Sequence, residues 1–373
     1  VRHDILIAGA SFAGIACAVA AARAGAQVAI LERKRDAGER LHTTGIIVKD
    51  AIEAIEAIAP IPPAIVRAVS GVRLHAPGGG SLALDSPGYF FLATDTPAMM
   101  RWLADGAREA GAEVALGEAW AGGERTPGGW RSASRREARF LVGADGPASR
   151  VARDCGLGVN ARFLFGAELE IRGATLAEPD RLHCFLDAKR ARGYLGWAFA
   201  GVGVVQVGLA STLGQRPARR DEARAGVSPP REREWPLPDV DAFAKAMAPR
   251  IGLEGGTVSA RRAGLIPVGG PVHPRAGDRV TLVGDAAGLV SPLTAGGIHT
   301  AIASGSRAGR AIAAALADDR GVRLVVDPPV PDFTAKRWLR RAYDLVQHDR
   351  LFDLAIGTGA FAAVAKRVFF HSR

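Results

Sequence analysis

Gly284-Asp285-Ala286-Ala287-Gly288, followed by Pro292-Leu293-Thr294-Ala295-Gly296-Gly297, decides the fold of this chain. The stretch ends the apolar run Val280-Thr281-Leu282-Val283, which reads as a buried strand, and leads into Ile298-His299-Thr300-Ala301-Ile302-Ala303, which reads as a helix. A strand that delivers one acidic side chain and then a glycine-lined helix start suits a polyol chain beside a flat, anion-forming ring. The helix N-terminus offers N–H donors and a partial positive charge there. The ribityl and isoalloxazine of a flavin have that form.

The N-terminus agrees. Asp4-Ile5-Leu6-Ile7-Ala8 is a buried-strand run, Gly9-Ala10-Ser11-Phe12-Ala13-Gly14 leads into an alanine-rich helix from Ile15 to Ala24, and Gln27-Val28-Ala29-Ile30-Leu31 is a second strand ending at Glu32. Gly9 permits the tight turn, Gly14 lets helix and strand approach, the helix start supplies donors for a pyrophosphate, and Glu32 is placed for ribose hydroxyls. This is a Rossmann fingerprint in which Ser11 stands at the middle glycine position.

At 373 residues the chain has room for about two domains. Its 48% hydrophobic and 23% charged content fits a soluble globular protein. It opens on a buried strand with no charged-then-apolar leader, so no signal peptide is expected. Cys17, Cys155 and Cys184 are too few and too scattered for a disulfide or zinc framework, which makes a reducing cytoplasm the expected location and leaves no metal site. The net charge is +10, but the basic clusters at 131–139, 216–233 and 336–341 form no stripe interleaved with aromatics. No nucleic-acid module is present, so no nucleic-acid partner is expected. Basic flanks leave a peripheral contact with anionic membrane open.

Organisation follows from changes of period. Residues 1 to about 60 read as βαβ and a further helix from Asp50 to Ile58. A hairpin flanks Pro77-Gly78-Gly79-Gly80, and Pro97 to Ala112 returns to helix. Phe140 to Gly143 is a strand, and a mostly antiparallel stretch runs from Phe163 to Ala210. Residues 213–238, rich in Arg, Pro and Glu, are expected to form a mobile surface loop. The expectation is an α/β fold: a discontinuous Rossmann-like FAD-binding domain (1–70, 95–162 and 263–320), an inserted substrate-binding sheet (71–94 and 163–262), and a C-terminal helical segment (321–373). Leu354 to Ala365 is too short to span a bilayer. Phe333 to Arg350 and this run are expected to cap the second sheet.

Three fingerprints in order, Gly9-x-Ser-x-x-Gly14 with Glu32, Gly143-Ala144-Asp145-Gly146-x-x-Ser149-x-Val151-x-Arg153, and Gly284-Asp285, resemble those of FAD-dependent enzymes of the p-hydroxybenzoate hydroxylase fold. The resemblance covers nearly the whole chain. It implies FAD held by Gly9, Ala10, Ser11, Phe12, Ala13 and Gly14, by Glu32 and Arg33, and by Thr44 and Ala119. It adds Asp145, Gly284, Asp285, Gly296, Gly297 and Ile298, with Arg101 on its helix approaching the phosphates. No second glycine fingerprint follows, so NAD(P)H or another electron donor is expected to bind only transiently.

Gly288 after the alanines, then Pro-Leu-Thr-Ala-Gly-Gly-Ile, is similar to the geranylgeranyl reductase family, whose members reduce isolated C=C bonds of isoprenoid chains. Gly193-Tyr194-Leu195-Gly196-Trp197-Ala198-Phe199, with Val207-Gly208-Leu209, resembles that family's Tyr-x-Trp-x-Phe-Pro strand. This implies a small apolar substrate lying against Tyr194, Trp197 and Phe199. Two departures stand out. Tyr194 and Trp197 are three apart rather than two, with Ala200 at the proline position, so they fall on opposite faces unless a bulge at Gly196 restores the register. Leu41 to Ile46 also lacks the cysteine that many such reductases carry beside the flavin. His42 and His299 are candidate acid-base groups, but no proton donor is identified. Two other readings remain: an oxygen-using monooxygenase of an aromatic or olefinic molecule, and a flavin-holding electron-transfer protein.

Overall fold

Ile5, Leu6, Ile7, Ile30, Phe140, Leu141 and Val142 are completely buried because they lie in the middle of a parallel sheet covered on both faces. The computed structural model describes residues 2–213, 237–319, 321 and 323–370. Most of the expected loop at 213–238 lies outside them. Strands Ala276–Gly277, Val280–Leu282, Glu137–Gly143, Arg2–Ala8, Val28–Glu32 and Glu113–Leu116 run in that order, all parallel except the first. Side chains alternate across it as the two-residue strand period requires. Ile5 and Ile7 join a core with the helices Phe12–Ala22, Thr96–Glu109 and Ile298–Ala317, while Leu6 and Ala8 face Trp120, Trp130 and Leu282.

Two of those helices meet at van der Waals limits. A Cβ at Gly305 would lie 2.1 Å from Ala13 O, and one at Gly309 2.3 Å from Cys17 O, so only glycine allows the backbones of Ile298–Ala317 and Phe12–Ala22 to lie this close. Cys17 is sealed in this interface, where burial pushes its thiol up to about 12, so its role is packing.

The second sheet has the order Thr257–Pro267, Phe163–Arg172, Val204–Thr212, Gly196–Ala200, Arg181–Phe185, Gly71–His75 and Ser81–Asp85. Its neighbours are antiparallel apart from Arg181–Phe185 with Gly71–His75. One face carries Leu169, Val207 and Leu209 and is covered by the helix Val240–Ile251. Phe243 of that helix has no exposed surface, which contributes about 1.5–3 kcal/mol. The opposite face carries Leu164, Trp197 and Phe199. It is covered by Phe91 and Ala93, by Ala295 of the stretch before Ile298, and by Ile356, Ala365 and Phe370.

The helix Gly359–Phe370, with Ile356 just after Asp349–Ala355, packs on the second sheet, and Arg340 of Thr334–Val346 donates to Thr212 Oγ1 at 3.4 Å. Two features were not expected from sequence: a three-stranded sheet of Ile46–Val48, Phe91–Thr94 and Val66–Val69, and a hairpin of Gly123–Thr126 with Gly129–Ser132. Their strands have three or four residues, too few to show a period. The basic cluster at 131–139 is largely neutralised, with Arg131 paired to Glu124 and Glu137, Arg136 to Glu113 and Glu118, and Arg139 to Asp4 and Asp319. Among the described residues no helix is long and apolar enough to cross a membrane.

Candidate FAD site and substrate face

The dinucleotide turn is built as its sequence requires. Gly9 has φ +103°, and a Cβ there would lie 2.4 Å from Ala144 O, while one at Gly14 would lie 2.0 Å from Gly9 O. Ser11 has ordinary extended backbone (φ −88°, ψ 172°). Its hydroxyl accepts from Gly14 N–H at 3.2 Å and donates to Ala144 O at 3.0 Å. The serine is therefore a helix N-cap that also ties the turn to the neighbouring strand, which explains why a side chain is tolerated at that position. Phe12 and Ala13, both buried, open the helix.

Glu32 is buried at the end of its strand, where Oε2 accepts from Ala10 N–H and Oε1 from Lys34 N–H, each at 2.9 Å. Glu118 N–H donates to Glu32 O at 2.9 Å, which brings Ala119 beside the same strand end, and exposed Arg33 follows Glu32 directly. Arg101, expected near phosphate, makes a bidentate pair with Asp36 (2.7–2.9 Å). That pairing holds the guanidinium on the loop after Glu32 and pulls Asp36 below the usual carboxylate range.

Asp145 and Asp285 have opposite environments. The Asp145 carboxylate accepts from Ser149 Oγ at 2.6 Å, Arg150 N–H at 2.7 Å and Val151 N–H at 3.1 Å, so it orders the turn before the short helix Arg150–Asp154. Asp285 follows Gly284 at the end of the strand Val280–Leu282. Burial pushes its carboxyl up to about 6, and among the described residues no hydrogen bond to it offsets that cost. A Cβ at Gly297 would lie 3.4 Å from Asp285 Oδ1, so the carboxylate faces the start of Ile298–Ala317, a helix with no side-chain cap. Asn160, not singled out in the sequence, joins the two motifs by donating to Pro147 O and Asp285 O, both at 2.9 Å.

These observations fit FAD. A glycine turn at a helix start, a buried Glu32 and an unpartnered Asp285 beside an uncapped helix N-terminus at Gly296-Gly297-Ile298 are acceptors and donors for a ribose, a pyrophosphate and a ribityl-isoalloxazine. FAD bound there supplies hydride chemistry. Thr44 lies half-buried in the segment whose neighbour His42 bonds Ala263 O through Nδ1 at 2.6 Å.

On the second sheet, Tyr194 precedes the strand Gly196–Ala200, so strand alternation does not apply to it. The register through Gly196 and Trp197 is regular, with no bulge at Gly196. Tyr194 and Trp197 consequently contribute to the same apolar cluster. The Tyr194 hydroxyl donates to Thr294 O, in the loop before Ile298, and Tyr194 O accepts from Tyr343 at 3.0 Å. Trp197 is nearly buried, and its indole N–H donates to Glu168 Oε2 at 2.8 Å. Phe199, expected in the pocket lining, has no exposed surface and packs in the core. Sequence reasoning missed Glu168, whose carboxyl is pushed up to about 7, chiefly by burial. His299 is exposed on the first turn of its helix.

A family model described as FAD binding domain matches residues 91–326. The chain is 32% identical over 337 residues to digeranylgeranylglycerophospholipid reductase 2 of Methanopyrus kandleri, covering 85% of this chain and 78% of that protein. It is 31% identical to reductase 1 of the same organism over 330 residues, covering 85% and 82%. In fold it resembles a geranylgeranyl bacteriochlorophyll reductase-like protein of Thermoplasma acidophilum, with a TM-score of 0.78 at 20% identity, covering 100% of this chain and 97% of that one. It also resembles a probable FAD-dependent monooxygenase of Pseudomonas aeruginosa, with a TM-score of 0.58 at 20% identity, covering 100% and 99%. With the three fingerprints at the C-terminal ends of three adjacent strands and relatives of this identity along most of its length, the chain belongs to the geranylgeranyl reductase family of FAD-dependent oxidoreductases.

Proposed function

We propose that this protein reduces C=C bonds of an apolar, isoprenoid-like chain through FAD, which NAD(P)H or another transiently bound carrier reduces. The observation that carries the reading is the Tyr194 hydroxyl bonded to Thr294 O. It joins the aromatic segment of the second sheet to the loop that leads into Ile298–Ala317, so the apolar sheet face borders the loop where this reading puts the flavin ring. The relatives' names point to lipid-borne isoprenoid substrates. In this reading the N–H groups after Gly297 stabilise negative charge at the flavin, Asp285 accepts from the ribityl chain, and Tyr194 and Trp197 exclude water from the olefin.

The same reading includes contact with a lipid surface. Trp338 (65% exposed), Leu345 (87%) and Leu354 (75%) project from the C-terminal helices beside exposed Lys336, Arg337 and Arg341. Apolar side chains flanked by cations suit a bilayer interface that carries anionic headgroups.

Anaerobic incubation of the reduced, FAD-loaded protein with a geranylgeranylated glycerophospholipid tests the activity by mass spectrometry. Two hydrogens gained per olefin support it. An oxygenated product formed only with dioxygen replaces it with a monooxygenase.

A further inference from the structure

Glu168 lies on Phe163–Arg172 with Gly208 and Arg262 as its register partners, and its side chain is on the face that carries Leu164 and Trp197. It is 3% exposed. Oε2 accepts the Trp197 indole N–H at 2.8 Å, whereas Oε1 has no hydrogen-bond partner among the described residues. The cation in register with it is directed elsewhere: the Arg262 guanidinium pairs with Glu170 and donates to Thr43 O at 3.2 Å. A buried carboxylate with no cation bonded to it is costly, whereas a carboxylic acid whose carbonyl oxygen accepts the indole N–H and whose other oxygen bears a hydrogen is at ease. Oε1 therefore has the environment of a stored proton. The Thr43 and His42 contacts lay the Leu41–Gly45 segment along the adjacent strand, so this acid sits under the face that Tyr194 connects to the flavin loop.

We propose that Glu168 is the acid that supplies the proton in olefin reduction. The inference rests on the C=C-reducing reading. Saturating an isolated double bond breaks one π bond and forms two C–H bonds. Bound reduced flavin would supply a hydride, hydrogen with its electron pair, to one carbon. For the other, the Glu168 O–H bond breaks as the C–H bond forms, leaving a carboxylate that takes a proton from water before the next turnover. The charged groups around it are Glu170 on its own strand, Arg262 across the sheet and His42 on the segment above that strand; Trp197 and Arg262 favour the ionised form, while burial and Glu170 favour the acid.

The test uses the full-length, FAD-loaded protein. Infrared difference spectra against pH should contain a protonated carboxyl band titrating near 7. Glu168→Gln should delete it, and Trp197→Phe, which removes a donor to the carboxylate, should move its midpoint upward. Glu168→Gln should also keep its FAD and its rate of flavin reduction by dithionite while losing about a hundredfold or more in geranylgeraniol saturation. Wild-type saturation in that variant, or no such band in the wild type, overturns the proposal. If Glu168→Gln does not fold, the Trp197→Phe shift decides, and an unmoved midpoint overturns it. If the wild type does not saturate geranylgeraniol or a geranylgeranylated phospholipid at all, the reading of the reaction fails and the proton donor falls with it, even where the infrared band is present.

Discussion

The Trp197 indole hydrogen-bonds Glu168 across an intervening strand. Gly196–Ala200 and Phe163–Arg172 flank Val204–Thr212, so the two backbones are two strand spacings apart, roughly 9–10 Å. The ring crosses that gap by lying over Gly208, the register partner of both residues.

A methyl group at Gly208 would lie 2.5 Å from the indole. Gly208→Ala should therefore tilt Trp197 off Glu168 and cost about 1–3 kcal/mol, measured by chemical denaturation. Unchanged stability and unchanged tryptophan fluorescence would show that the indole does not need that space.

Asp285→Asn should have opposite effects on stability and on cofactor binding. Burial raises the Asp285 carboxyl from 3.8 to about 6, so the unfolded chain releases this proton first. The resulting penalty is absent below pH 3.8, grows as pH rises through the interval, and is complete above about 6. At pH 8 the flavin-free variant should melt higher than the flavin-free parent. Its FAD affinity should fall about ten- to a hundredfold, the worth of one charge-assisted hydrogen bond, measured by flavin fluorescence on titration.

Ser11→Gly restores the glycine usual at that turn position and yet should not improve the site. The substitution removes the cap on Gly14 N–H and the bond to Ala144 O. A loss of about 1 kcal/mol in stability, with FAD affinity within twofold of the parent, is expected in parallel denaturation and flavin-binding assays.

The protein should cosediment with anionic liposomes at low salt and be released as salt rises, because exposed charge pairs are screened beyond about 10 Å at 0.1 M. Replacing Arg337 and Arg341 with Glu should abolish binding without changing the melting temperature, since both are exposed on Thr334–Val346. Absence of low-salt binding in the parent would leave these helices a packing role alone.

The glycine turn and the strand ends around it were legible because their demands are local. A positive φ at Gly9, a strand ending in Glu32, and Gly284-Asp285 before a helix start each lie within a few residues of sequence. Arg101 shows the limit: its position on Thr96–Glu109 could be read, but its partner Asp36 sits in a loop that only the folded chain brings near. The same holds for Glu168, which looks like one more charged residue on an alternating strand until the register of three strands places it beneath Trp197. Tyr194 was misaligned for the related reason that the strand begins two residues after it.

The glycine contacts between Ile298–Ala317 and Phe12–Ala22 make the two helix starts behave as the jaws of a fixed gauge. Their separation is set by backbone against backbone, so no side-chain rearrangement opens or narrows it. One jaw opens at the glycine turn of Gly9 and the other at Gly297. A flavin held there would bring its phosphate to one jaw and its ring to the other, with the ribityl chain between them. The spacing between these two helix starts is thus fixed by backbone contacts before any cofactor binds.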